Sequence, residues 1–89
     1  MSKRRFDLLF INKSDDGRNN VCGKNIAKYR LEMKISQKKL SDRLQLSGLN
    51  VDKNAVQRME SGQRFITDIE LLHLSAVLNK TLEQLFFAD

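Results

Sequence analysis

The sequence predicts an all-α protein, a bundle of five short helices preceded by an N-terminal extension. The chain has no proline and only 4 glycines, a composition that favours helices over a turn-rich β-sandwich. From Gly23 onward, apolar residues recur at the three- and four-residue spacing of amphipathic helices. Most of these segments follow a residue type that caps helices. A chain of 89 residues is long enough for one small domain and not for two.

The extension comprises residues 1–22. Residues 5–11 are apolar and favour β structure, and residues 12–20 are polar, rich in turn-forming residues and include the sequence Asp15-Asp16-Gly17. We therefore expect a possible short strand followed by a loop. A lone strand cannot satisfy its own backbone hydrogen bonds, so this one would need a partner. The five-helix domain is expected to occupy residues 23–89.

The first two predicted helices each place their apolar residues on one face. The first runs from about residue 24 to 33, and its inward positions are Ile26, Tyr29 or Arg30, and Met33. The second covers residues 37–46 after Ser36, which can act as its N-cap. Its inward positions are Leu40, Ser41 and Leu44.

The third predicted helix is capped by Asp52, ends near Ser61 and has two distinct faces. Val56 and Met59 point inward, with Ala55 beside them. The opposite face carries four side chains that can hydrogen-bond to base edges in a DNA major groove: Lys53, Asn54, Gln57 and Arg58. A face that is merely solvated more often carries Glu and Lys. After the helix end at Gly62, Gln63 and Arg64 follow where a phosphate backbone can lie.

Two capping boxes, each a hydroxyl residue followed three positions later by Glu or Gln, predict where the last two helices begin. Thr67 and Glu70 begin the fourth helix, whose inward stripe is Leu71, Leu74, Ser75 and Leu78. Thr81 and Gln84 begin a short fifth helix, with Leu82, Leu85 and Phe86 turned inward. Each helix is too short to be stable alone, so packing must hold all five together.

Positive charge is concentrated around the third predicted helix. Residues 24–64 hold ten Lys and Arg against four Asp and Glu, whereas residues 65–89 hold one Lys against four acidic residues. The whole chain carries a net charge of +5. A basic region beside an acidic one suggests that one face of the domain binds nucleic acid and that the acidic region lies on the opposite side. An ordinary basic surface would give the same counts of charged residues.

The motifs occur in an order that resembles the lambda-repressor-like helix-turn-helix family, also called Cro/CI or XRE type. The resemblance covers roughly residues 23–87, and it rests on these segments: Tyr29-Arg30, Ser36-Gln37-x-x-Leu40-Ser41-x-x-Leu44, Asn54-Ala55-Val56-x-x-Met59-Glu60-Ser61-Gly62-x-Arg64, Asp68-x-Glu70-Leu71-x-x-Leu74-Ser75-x-x-Leu78 and Thr81-Leu82-x-x-Leu85. Three features depart from the family pattern. The turn over residues 46–51 is longer than usual, Ser41 and Ser75 replace alanine, and Lys80 replaces a buried valine.

The resemblance implies a five-helix DNA-binding domain that usually acts as a dimer on a two-fold-related, pseudo-palindromic operator in double-stranded DNA. Gln37 matches a glutamine at the start of helix 2 that touches a phosphate, where the helix N-terminus favours anions. The recognition-helix positions are Lys53, Asn54, Gln57 and Arg58, and the positions that follow the backbone are Gln63 and Arg64. Glu60 is expected to be structural, pairing with a basic side chain such as Arg30.

The leading functional hypothesis is a sequence-specific transcriptional regulator, a repressor of phage or bacterial type. Two alternatives stay open: an antitoxin that represses its own operon, and a protein–protein adaptor on the same bundle. An enzyme is not favoured, because one His, one Cys and scattered carboxylates form no nucleophile–base pair or metal-ligand spacing. No metal or cofactor is therefore expected.

The partner surfaces and the cellular location follow from the apolar segments and the cysteine content. Residues 6–11 and 85–87 are the candidate homodimer contacts.

No apolar run approaches the ~20 residues of a membrane-spanning helix. The basic residues Lys3, Arg4 and Arg5 precede only a short apolar run that Asp7 interrupts, which is not typical of a signal peptide. With Cys22 as the sole cysteine, a cytoplasmic location is expected.

Overall fold

A computed structural model describes residues 13–87, and within that range the chain forms five α-helices and no strand. The helices are α1 (Gly23–Glu32), α2 (Gln37–Leu46), α3 (Lys53–Ser61), α4 (Asp68–Leu78) and α5 (Leu82–Phe86). The predicted all-α bundle is confirmed. The possible strand over residues 5–11 lies outside the described residues.

Side-chain caps fix the beginnings of four helices where the sequence predicted them. Ser36 Oγ accepts a hydrogen bond from the Lys39 N–H at 3.0 Å, and the Asp52 carboxylate accepts one from Ala55 at 2.8 Å. Thr67–Glu70 and Thr81–Gln84 both form complete capping boxes. Since the first backbone N–H groups of a helix have no partner within it, these caps make the helix starts a local property of the sequence.

The core is aliphatic and draws on every helix. Its side chains with no exposed surface are Ile26, Leu40, Leu44, Val56, Met59, Leu74 and Leu85. All seven are positions that the periodicity predicted to face inward. Full burial of each contributes roughly 1.5–3 kcal/mol relative to exposure, which stabilises helices too short to persist alone.

Three predicted inward positions are wrong. Met33 is 36% exposed because α1 ends at Glu32, and the chain then turns through Lys34 at a φ of 59°. Leu82 is 41% exposed and Phe86 38% exposed. Helix α5 has only five residues, so it presents a single position, Leu85, to α1 and α4.

The long turn between α2 and α3 is fixed by its own hydrogen bonds. The Leu49 N–H donates to Leu44 O at 2.9 Å, and Gln45 Nε2 donates to Val51 O at 2.7 Å. Val51 is buried, and Gly48 adopts a φ of +107° that favours glycine. The angle of α3 relative to α2 is therefore set by packing and by these bonds rather than by a tight turn.

Candidate nucleic-acid interface

Helix α3 presents a polar outer face because its apolar face packs into the core. Val56 and Met59 have no exposed surface and pack against α1 and α2. With those two positions fixed in the core, the helix geometry points the remaining positions outward. The exposed residues include all four predicted contact residues: Lys53, Asn54, Gln57 and Arg58.

A shallow hollow of about 450 Å³ lies between α2 and the start of α3. It is lined by Lys38, Ser41, Gln45, Asp52, Lys53 and Asn54. Its one acidic lining residue, Asp52, caps α3, and the lining residue Lys38 has its Nζ 2.6 Å from the carboxylate of Asp42. The hollow thus continues the polar face of α3 onto α2 and offers amide and ammonium donors to a ligand.

Gln37, the predicted phosphate contact, lies at the N-terminus of α2 and is held there by Glu60. Its Nε2 donates to Glu60 Oε1 at 3.0 Å. Glu60 also forms the predicted ion pair with Arg30, and Arg30 donates in addition to the Ile35 carbonyl at 2.8 Å. The Gln37 amide keeps a second N–H for a ligand, and the neighbouring helix N-terminus favours an anion there.

Arg64 is tied to the protein more closely than the sequence indicated. Its guanidinium makes two hydrogen bonds to Glu70, at 3.2 and 3.0 Å. Glu70 is buried, and it also accepts the Thr67 N–H within the capping box of α4. The Arg64 side chain retains 31% of its surface, so the pair orients a guanidinium whose other N–H groups remain available to an anion. Gln63 beside it is exposed.

Three residues that the sequence analysis left in a loop contact the end of α3. Arg18, Asn19 and Asn20 donate hydrogen bonds to backbone carbonyls between Met59 and Arg64. No periodicity could have identified them, because the paired residues are about 40 positions apart in sequence. Their only sequence signal was the polar, turn-forming character of residues 12–20.

The described part of the chain offers neither a metal site nor a membrane span. Residues 13–87 contain no group of three or more His, Cys, Asp and Glu side chains that could hold a metal ion. His73, instead, has its Nδ1 atom 2.9 Å from the hydroxyl of Ser47. None of the helices within that range is long and apolar enough to cross a membrane.

Comparisons with known proteins agree with the arrangement of α1 to α5. A helix-turn-helix family model, HTH_3, matches residues 26–85. A similar solved structure is the restriction-modification controller protein C.AhdI from Aeromonas hydrophila, with 28% sequence identity and a TM-score of 0.63. The likeness covers 73% of this chain and 87% of that one. No curated protein sequence matches the chain.

Proposed function

The chain belongs to the XRE-type helix-turn-helix family of DNA-binding transcriptional regulators, and we propose that it is a sequence-specific repressor. In this proposal α3 is the recognition helix and lies in the major groove of double-stranded DNA. The protein acts in the cytoplasm by occupying its operator. It needs no metal, cofactor or catalytic group to do so.

The observation that carries the proposal is the outer face of α3. It combines Asn54 and Gln57, whose amides can bond two atoms of an adenine edge, with Lys53 and Arg58, which suit the guanine edge. All four are exposed on a helix whose opposite side is locked into the core. A rigid helix that presents base-matching donors and acceptors is what direct recognition of a base sequence requires.

Contacts on either side of the recognition helix would position it on the DNA backbone. Gln37 at the start of α2 and Gln63 and Arg64 after α3 carry amide and guanidinium donors suited to phosphate oxygens. Gln37 is oriented by Glu60 and Arg64 by Glu70. We assign these three residues to phosphate contacts, which fix orientation and carry no base information.

We further propose that the protein acts as a homodimer on a pseudo-palindromic operator. One recognition helix covers only a few base pairs, so useful specificity requires two half-sites. The end of α5 carries exposed apolar surface: Phe87 is 75% exposed, Leu82 41% and Phe86 38%. Phe86 also borders a hollow of about 380 Å³ that Phe65 and Val21 help to line. Exposed apolar surface of this kind marks interaction sites.

Selection of bound sequences from random DNA duplexes, performed with the full chain at two salt concentrations, tests the proposal. We expect enrichment of one motif with two related halves about 10 base pairs apart, centre to centre. We also expect binding of unrelated duplexes to weaken steeply as salt rises. Absence of any enriched motif at either salt concentration would refute sequence-specific binding, and an enriched single half-site would refute the dimer.

A second candidate function is the control of restriction-modification genes. The observation that favours it is the likeness to C.AhdI, a controller protein of such a system. The genes beside which the selected motif occurs separate this role from repression of other genes. The sites of such a controller would lie beside genes for a restriction enzyme or a DNA methyltransferase. The antitoxin and adaptor hypotheses stay open, but no described contact favours them.

A further inference from the structure

Residues 13–20 form a small folded unit that packs against the end of the recognition helix. The Ser14 N–H donates to Arg18 O at 2.8 Å, and the Gly17 N–H donates to Ser14 O at 2.9 Å. Asp16 accepts a hydrogen bond from the Ser14 hydroxyl and lies 3.0 Å from Lys24 Nζ on α1. Those two contacts hold the pKa of the Asp16 carboxyl below its usual range.

This unit donates hydrogen bonds to two of the last carbonyls of α3, of which Met59 O also accepts the Gly62 N–H at 3.2 Å. Asn20 Nδ2 donates to Met59 O at 2.9 Å, and Arg18 Nη2 donates to Glu60 O at 2.5 Å. The last carbonyls of a helix have no partner within it, and they carry partial negative charge. The Arg18 guanidinium at that position therefore gives the Glu60 carbonyl a hydrogen-bond donor and stabilises the helix end electrostatically.

The same residues hold the backbone that follows α3. The Asn19 N–H donates to Gly62 O at 2.8 Å, and Asn19 Nδ2 donates to Gln63 O at 3.0 Å. Asn20 Nδ2 makes its second bond to Arg64 O at 2.9 Å. Gln63 and Arg64 belong to no helix, and these bonds help to fix the position of the two proposed phosphate contacts, together with the bond from the Gln63 N–H to Arg58 O at 2.9 Å and the Arg64–Glu70 pair.

Close packing at two glycines shows how tightly this region fits together. A Cβ atom at Gly23 would lie 2.1 Å from Met59 O, so the start of α1 approaches the end of α3 with no room for a side chain. Asn20 Oδ1 accepts the Gly23 N–H at 2.8 Å. Gly62 has a φ of +82°, and a Cβ atom there would lie 2.8 Å from Arg18 Cζ. The Asn20 amide thus joins α1, α3 and the segment after α3.

We propose that Arg18, Asn19 and Asn20 are positioning residues for DNA recognition. They hold the end of the recognition helix and the adjacent Gln63 and Arg64 in register with each other, and they act through those residues rather than by touching DNA. Residues 18–20 precede the family match, which begins at residue 26, so this device is additional to the matched helix-turn-helix unit. The inference rests on the proposed function, because it assigns a role within the same DNA-binding site.

The test substitutes Asn20→Ala and uses Asn25→Ala as a matched control. Asn25 is also an asparagine that donates to a backbone carbonyl, Leu85 O at 2.6 Å, but it joins α1 to α5 instead of to α3. Both variants of the full chain are measured at a temperature where circular dichroism shows them folded. The dissociation constant is determined for the selected duplex and for a scrambled duplex, each at two salt concentrations.

For Asn20→Ala we expect about a tenfold loss of affinity for the selected duplex, because Met59 O and Arg64 O each lose a side-chain donor and the segment shifts. We expect the ratio of selected to scrambled affinity to fall as well, because Asn20 bonds to Met59 O at the end of α3 and its loss moves the helix that reads the bases. Asn25→Ala should lower the melting temperature and leave that ratio unchanged. The milder Asn19→Ala, which removes one exposed bond, should lie between Asn20→Ala and the wild type, and it takes over the test if Asn20→Ala does not fold.

Three outcomes separate the possibilities. If the asparagine variants at 19 and 20 lose stability but keep the wild-type affinity ratio, residues 18–20 serve stability alone and the positioning role is wrong. If Asn25→Ala changes the ratio as much as Asn20→Ala does, the effect is general and the proposal is likewise overturned. If the wild type itself shows no preference for any duplex, the proposed function fails, and that result is visible before any variant is made.

Discussion

Arg30 and Glu60 form a two-point ion pair between α1 and the last turn of α3. Arg30 Nε lies 2.6 Å from Glu60 Oε2, and Arg30 Nη2 lies 3.0 Å from Glu60 Oε1. The two side chains are only 11% and 7% exposed. Because Glu60 also accepts a hydrogen bond from the Gln37 amide, one carboxylate connects α3 to both preceding helices.

Glu60→Ala is expected to lower the free energy of unfolding by about 3 kcal/mol, measured by urea denaturation. The substitution leaves the Arg30 guanidinium nearly buried without its counter-charge, and an unpaired buried charge is strongly destabilising. Asp42→Ala is the matched control, because it breaks the Lys38–Asp42 pair whose side chains are 66% and 41% exposed. Its effect should stay within about 0.5 kcal/mol. Equal losses in the two variants would show that burial of the Arg30–Glu60 pair has no energetic consequence.

Local chemistry explains why so much of the fold was predictable. Ser36, Asp52, Thr67 and Thr81 cap helices through backbone groups only three residues away, so each helix start is encoded within a few positions. Inward positions such as Leu40, Leu44 and Met59 follow from helical spacing alone. The failures at Leu82 and Phe86 arose because spacing identifies an apolar face but not how many of its positions a five-residue helix can present to its neighbours.

The candidate site was only partly predictable for a related reason. The exposure of Asn54 and Arg58 follows from helical periodicity, which can be read directly from the spacing of apolar residues in the sequence. Sequence spacing does not predict the hydrogen-bond partners of Gln37 and Arg64, because tertiary packing determines which side chains lie beside them. Asn20 is the clearest case: its contacts at Met59 and Arg64 lie 39 and 44 positions away, where no local pattern reaches.

Asn54→Ala and Arg58→Ala are each expected to lower discrimination between the selected duplex and duplexes with single base changes. A good two-point contact to a base is worth roughly 1–3 kcal/mol of discrimination. The loss should be confined to one base position for each variant, measured by titrating a panel of singly substituted duplexes. If both variants retain the full wild-type discrimination at every position, neither side chain contacts a base.

Arg64→Ala is expected to weaken binding to all duplexes about equally. It should also make the slope of log K against log salt shallower by roughly one unit, because one phosphate contact is lost. The variant should be less stable as well, since the buried Glu70 loses its cationic partner. The measurement is a series of fluorescence-anisotropy titrations at several salt concentrations.

Lys80→Ala serves as the control for the salt slope. It removes the same charge, but the Lys80 ammonium lies 4.7 Å from the centre of the Tyr29 ring, on the side of the bundle where α1 meets α5. Its slope should equal that of the wild type. A loss in Arg64→Ala that is confined to the selected duplex would instead place Arg64 among the base contacts.

Stability is expected to fall as pH rises from about 9 to 11, in part because of Cys22. Burial raises the pKa of the Cys22 thiol from 9.0 to about 11. Over that interval the unfolded chain releases the thiol proton while the folded protein retains it, so the folded state binds more protons and loses stability with rising pH. Below about pH 9 both states are protonated and this contribution to stability is fully present.

Cys22→Ala isolates the contribution of the thiol to this decline. Urea denaturation of both proteins at several pH values should show a smaller decline between pH 9 and 11 for the variant. Alkylation by iodoacetamide should be slow in the native protein at neutral pH and fast in urea, because the thiol is 2% exposed and protonated. Parallel stability profiles for the two proteins would remove Cys22 from the alkaline transition.

The final prediction concerns the dimer that a two-fold operator requires. Phe87 is the most exposed aromatic residue in the described range, and its ring centre lies 6.2 Å from that of Phe86. If this end of α5 packs against a second copy, Phe87→Glu places a charge in an apolar interface and should produce a monomer. Leu31→Glu is the matched control, because Leu31 is also strongly exposed, at 62%, but belongs to α1. Sedimentation equilibrium at micromolar concentrations, with and without operator DNA, provides the measurement.

A chain lacking residues 1–12 completes this experiment, since residues 6–11 are the other candidate contact. Truncation must stop there, because residues 18–20 bond to the end of α3 and Cys22 is part of the core. A dimer that survives this truncation but not Phe87→Glu assigns the interface to α5, and the reverse result assigns it to the extension. If the wild type sediments as a monomer both alone and on operator DNA, the homodimer proposal is wrong. Specificity would then have to come from a single recognition helix.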